Sequence, residues 1–272
     1  MGILRKDEDK LYPPSIMEGT TLLPSLGGKL WEKEDDEANS LTSAQRIEVK
    51  RTRIRVEILQ KGSSPNAKFE LFQRLNTGGT PLSEQEVRNC VMIMIDSSFY
   101  EWVEGLSKDQ AFSGTVSLTE TAIEKREDME FVLRYLTFMK VPYTNGLDVH
   151  EYLDIATIKM ATDKALDRSF EQQRFQATFA LIRDALGSGA FKRFDGSGHS
   201  GKFLTSIFEV LAVGVASNLQ AIEALGNPAD FVKKKAQALG TETTYQRNTG
   251  AGVRGTTRLS NLLSWGVEYL RP

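Results

Sequence analysis

The segment FQRLNTGGTPLSEQEVRN, residues 72–89, crowds Arg74, Asn76, Glu86, Arg88 and Asn89 around one short turn. Those residue types suit one kind of chemistry, the gripping of an anion. A guanidinium offers donors in a fixed planar fork that fits phosphate or carboxylate, and a side-chain amide adds a donor and an acceptor. The free backbone amides at a helix start would contribute to such a site. Arg74, Asn76, Arg88 and Asn89 are therefore the candidate contacts to a ligand, to DNA or to another domain. Two of them have clear structural alternatives: Arg74 can pair with Glu86 or Glu70, and Asn76 can satisfy the backbone of the turn. Ser83 and Glu86 already occupy the amides before Val87 as a capping box, so Glu86 reads as structural. A second charged run places Arg126, Glu130 and Arg134 at helical spacing. It reads as an ion-pair ladder along one helix face.

The elements around these residues follow from punctuation and period. RIRVEIL (53–59) alternates apolar and charged residues, as a half-buried strand does. AKFELFQRLN (67–76) is helical in pattern and ends at Thr77, Gly78 and Gly79, where glycine permits a sharp reversal. Pro81 cannot continue that helix. Ser83 then opens the next one, with Leu82 and Val87 at the positions of a hydrophobic staple. A short helix fits 43–51. Further helices are expected over 117–140, 147–166, 168–186, 202–218, 227–239 and 256–270. The stretches 184–202 and 240–257 read as flexible, and His199 sits in the first of them. The fold class expected is mainly α: a helical body with a small, incomplete β element near the N-terminus. TTLLP and GKLW are poor partners for RIRVEIL, so residues 1–60 are expected to be loosely ordered or to complete a sheet with another chain.

Composition narrows the function classes. The chain has 272 residues, 40% hydrophobic and 26% charged, as an ordinary globular protein does. No apolar run reaches the roughly 20 residues of a membrane span, and no secretory signal is visible, so no membrane partner and a cytoplasmic location are expected. With His150 and His199 as the only histidines and Cys90 as the only cysteine, no metal site is expected. Cys90 lies among Val87, Val91 and Ile95 and reads as a small buried hydrophobe. The run 31–40 is acidic and reads as a solvated loop. From residue 190 onward there are ten Lys/Arg against six Asp/Glu. Lys233, Lys234, Lys235, Arg247, Arg254 and Arg258 are among them. Lys233, Lys234 and Lys235 are the candidate phosphate contacts, the alternative being a solvated face.

The residues Phe72, Arg74, Leu75, Asn76, Gly79, Leu82, Glu86, Arg88 and Asn89 match a spaced run that recurs in one family. In these residues the chain resembles the N-terminal domain of GmrSD-type modification-dependent restriction endonucleases. Arg126, Asp128, Glu130 and Arg134 resemble a second pattern of that family. The likeness spans about residues 1–140. It implies a ParB- or sulfiredoxin-like N-terminal fold and nucleotide-dependent DNA cleavage in phage defence, often with a separate HNH nuclease domain. For a complete member it implies a nucleoside triphosphate with magnesium; for this chain the cofactor is left unknown. The family's Asp-Gly-Gln-Arg motif is not present, and MGILRKDEDKLYPP resembles the stretch that follows it, as if the chain began partway through the domain. The domains expected are 1–100, the C-terminal part of a GmrSD N-terminal-like domain, and 101–272, a helical domain. The function expected is a component of a GmrSD-like DNA-targeting defence protein, inactive alone. The alternatives are a non-catalytic DNA- or protein-binding helical module and a truncated, inactive product. DNA and a chain that completes the N-terminal sheet are the expected partners.

Overall fold

The computed structural model describes residues 16–19, 23–32, 36–53, 71 and 82–272. RIRVEIL from Ile54 on, and the turn that carries Arg74 and Asn76, lie outside the described residues. The chain divides into two compact units, Met1–Leu59 and Gln60–Pro272. In the first unit, Leu30 and Ser40 form an isolated parallel bridge. Asp36 caps a 3-10 turn over Glu37–Asn39, where an irregular acidic loop was expected. The helix α1, Ser43–Arg51, has the bounds expected, because Thr42 and Gln45 form a reciprocal capping box at its start.

The second unit is helical: α2 (Glu84–Ile95), α3 (Ser97–Ser107), α4 (Gln110–Thr115), α5 (Glu120–Glu124), α6 (Glu127–Lys140), α7 (Val149–Thr162) and α8 (Arg168–Leu186). A two-residue hairpin follows, β1 (Arg193–Phe194) with β2 (His199–Ser200), and then α9 (Thr205–Ser217), α10 (Leu219–Glu223), α11 (Pro228–Leu239), α12 (Thr243–Thr249) and α13 (Gly255–Tyr269). The protein is mainly α, with one small antiparallel sheet among the described residues. That sheet lies between α8 and α9, far along the chain from the expected β element. The expected boundary at residue 100 falls inside this unit, since α3 packs on both α2 and α6. No described helix is long and apolar enough to cross a membrane.

The core forms around α9. Its residues from Ile207 to Ala216 are all buried, the behaviour of a helix that is apolar on every side. Phe208 of α9 and Phe191, Phe179, Phe175, Phe112 and Tyr135 form an aromatic cluster of tilted, edge-to-face and stacked pairs with centroids 4.5–6.4 Å apart. On α6, Met129, Val132, Leu133 and Leu136 are buried as the helical period requires. The single helix expected over 117–140 is two helices. Arg126 takes a left-handed conformation at φ 62°, which ends α5 and starts α6 in a new direction. Arg126 consequently leaves the ladder face and pairs with Glu104 at 3.5 Å.

Backbones approach closely where α9 crosses α13. A Cβ on Gly214 would lie 2.6 Å from the Gly266 carbonyl oxygen, and one on Gly266 would lie 3.3 Å from the Val210 Cα. The first is a collision with backbone, which cannot rotate away. Gly214→Ala is expected to destabilise the helical unit by about 2 kcal/mol, as overpacking does. Gly226→Ala, facing open space, serves as the neutral control. Urea denaturation of both variants checks this, and equal midpoints would contradict it.

Candidate functional site

An apolar central helix leaves Glu209 with a problem, for a carboxylate there is 1% exposed. A buried charge persists only when it is paired and hydrogen-bonded. Arg258 on α13 donates to it from Nε (2.6 Å) and Nη2 (3.1 Å), and Arg134 on α6 lies 3.4 Å away. Arg134 also donates to Glu130 one turn earlier on α6 at 2.7 Å. Glu130 in turn lies 3.4 Å from Arg88 on α2, and Arg88 donates from Nε to Asp154 on α7 at 2.6 Å. Six charges of alternating sign thus run through the packed helices, from Asp154 through Arg88, Glu130, Arg134 and Glu209 to Arg258. Their formal sum is zero.

Arg88 is the most enclosed of the cations, 1% exposed. Its Nη1 donates to Gln85 Oε1 at 2.7 Å, and its Nη2 lies 3.0 Å from His150 Nδ1. A guanidinium has only donors, so this contact is a hydrogen bond in the tautomer whose Nδ1 accepts. Gln85 closes the arrangement by donating to Asn89 at 2.7 Å. Local sequence puts these groups here. Ser83 accepts from the Glu86 amide and Glu86 accepts from the Ser83 amide, fixing where α2 begins and hence which of its faces carries Gln85, Arg88 and Asn89 inward.

The electrostatics differ along the ladder. Burial would raise the Glu130 carboxyl, but Arg134 and Arg88 outweigh it and hold Glu130 below its usual range. Asp154 goes the other way: burial pushes it up to about 6, against the pull of Arg88. A group raised on folding adds stability that is complete below its unfolded value of 3.8 and is lost as pH climbs through about 6. Asp154→Asn removes that loss. The stability gap between wild type and variant is therefore expected to shift in the variant's favour by roughly 3 kcal/mol between pH 3.8 and 7. Chemical denaturation of both proteins across that range checks this, and a constant gap would contradict it. The groups facing Asp154 are Arg88, Glu84 and His150.

The residues singled out from the sequence part company here. Arg74 and Asn76 lie outside the described residues. Arg88 and Asn89, expected as contacts to a ligand, to DNA or to another domain, are buried and bonded to protein groups of this unit. Glu130 and Arg134 form the expected pair. Lys233 is exposed, and Lys234 pairs with Asp230 at 2.7 Å. Lys235 donates to the Tyr269 carbonyl at 2.6 Å and lies over the rings of Tyr269 and Phe231 (4.7 and 5.4 Å). Lys235 thus closes the C-terminal end of α13. Arg258, grouped with the basic tail on sequence, is turned inward to Glu209.

Three residues of the ladder escaped the sequence reading: Asp154, Glu209 and Arg258 as its partner. One signal was available, the lone Glu209 inside the apolar run SIFEVLAVGVAS, which demanded a buried cation. Asp154 carries no such mark in the sequence, since its partner is distant in the chain. Cys90 is half-buried, and burial raises its thiol. His199 belongs to the hairpin, where the ring packs against Phe194 at 5.2 Å and Nδ1 lies 3.1 Å from the Lys192 carbonyl oxygen. Among the described residues, no three His, Cys, Asp or Glu side chains gather where one metal ion would be held. No family model, no curated protein and no solved structure matches this chain.

Proposed function

We propose that the chain is a non-catalytic component of a GmrSD-like, nucleotide-dependent DNA-targeting defence protein, inactive by itself. One observation carries this reading. Four of the described charged residues of the family-like runs, Glu86, Arg88, Glu130 and Arg134, are engaged in capping α2 and in tying α2, α6, α7 and α9 together, and a fifth, Arg126, pairs with Glu104 on α3. Groups committed in that way hold a scaffold and do not reach a substrate. The nucleotide-handling and cutting chemistry then belongs to another domain or chain. Purified protein is expected to leave nucleoside triphosphates and DNA intact in the presence of magnesium. Metal-dependent turnover by the purified chain would overturn the reading.

A second reading, a non-catalytic DNA-binding module, is favoured by the cations left over at the surface. Lys233, Arg247 and Arg254 are exposed and carry no ion pair among the described residues. Contact through them would be to phosphates, independent of base sequence and steeply weakened by salt.

A further inference from the structure

We propose that the cleft between the hairpin, α11 and α12 binds a small aromatic carboxylate. The inference is independent of the function proposed above. The cleft has a volume of about 570 Å³, in the range of small-molecule sites. Its base is apolar: Ile207, Ala236, Leu239 and the ring of Tyr245 all contribute, and each is buried against the core. A flat hydrocarbon body entering there would leave water and meet an aromatic wall completed by Phe194.

The polar groups at the rim decide which ligand fits. Most are already engaged within the protein. The Tyr245 hydroxyl is bonded to Ser206 Oγ at 2.8 Å, Thr249 Oγ1 donates to the Tyr245 carbonyl, and Gln246 Nε2 donates to the Gly240 carbonyl. Asp195 accepts from the backbone amides of Ser197 and Gly198 and from the hydroxyls of Ser197 and Ser200. Gln237 and Arg193 are the exceptions, and of the two only Arg193 is charged. It lines the cleft, is exposed, and carries no ion pair among the described residues. Its charge is felt inside, for it opposes the rise that burial imposes on the Tyr245 phenol. A lone guanidinium above an apolar base matches one carboxylate in a paired, two-bond geometry. Any anion there meets the Asp195 carboxylate, which lines the same cleft, and a phosphate dianion would do so with twice the charge of a carboxylate and only this one cation to offset it.

The test is a titration of the isotope-labelled full chain, read from the backbone amide signals of Gly196, Gly240 and Gly250, which line the cleft. Benzoate, inorganic phosphate and benzyl alcohol are the probes. Benzoate is expected to move those signals to saturation, with phosphate and benzyl alcohol each at least about tenfold weaker, as loss of the apolar body or of the charged hydrogen bonds implies. Arg193→Gln should weaken benzoate about tenfold, Arg193→Lys should restore part of the affinity, and Lys233→Gln should change nothing. Arg193 is on the surface, so these replacements leave the fold standing. Absence of saturable shifts, shifts centred elsewhere, phosphate binding as tightly as benzoate, or an Arg193→Gln protein that binds like wild type would each overturn the proposal.

Discussion

Replacing Arg88 with alanine is expected to destabilise the helical unit by about 3–5 kcal/mol, the cost of leaving buried partners without their counter-charge. The truncation leaves Asp154 without its only ion pair among the described residues and deprives Gln85 and His150 of a donor. Glu130 keeps Arg134 and suffers less. An arginine serving a ligand at the surface would behave otherwise, since exposed substitutions usually stay within about 0.5 kcal/mol. Urea unfolding followed by far-ultraviolet circular dichroism separates the two. A midpoint unchanged from wild type would show that Arg88 does not hold the fold.

Glu209→Ala is expected to cost a similar 3–5 kcal/mol, for the mirror-image reason. Two guanidiniums, Arg134 and Arg258, would then face one another across the space beside α9 with no anion between them. In a unit of this size such a loss lowers Tm by roughly 10 °C. Glu209→Gln keeps the shape and an acceptor oxygen but not the charge, and should fall between the two. If both variants melt with wild type, the ladder does not reach the core. Replacing Arg134, Glu209 and Arg258 together with apolar residues of similar volume should recover most of the loss, because the penalty is that of unpaired charge.

Much of the helical unit was legible because local rules govern it. The bounds of α1 and α8 coincide with the expected ones, and α2 begins at Ser83 as its capping box requires. The period of α6 correctly named Met129, Val132, Leu133 and Leu136 as core. What failed depends on contacts distant in the chain. Arg126 broke an otherwise unbroken helical pattern by taking a conformation that residues of its type seldom adopt. Residues 240–257 read as flexible because they are rich in Thr and Gly, yet they hold α12, anchored by the buried Tyr245. The hairpin was missed because each strand is only two residues long. At the site, Glu130 with Arg134 was legible from an interval of four residues. The orientation of Arg88 was not, since an arginine one turn into a helix fits an inward or an outward face equally well. Its partners on α6 and α7 decide, and they lie far along the chain.

Arg88 serves the fold through a buried partner, Asp154. A double-mutant cycle between Arg88 and Asp154 measures that claim directly. Arg88→Met, Asp154→Leu and the double variant are unfolded in urea beside wild type at pH 7, above the value of about 6 to which burial raises Asp154. The two side chains, 2.6 Å apart and nearly excluded from water, are predicted to couple by at least about 2 kcal/mol, so that the double variant is far more stable than the sum of the singles implies. Additive effects, with a coupling below about 0.5 kcal/mol, would contradict the account and return Arg88 to the surface chemistry its sequence first suggested.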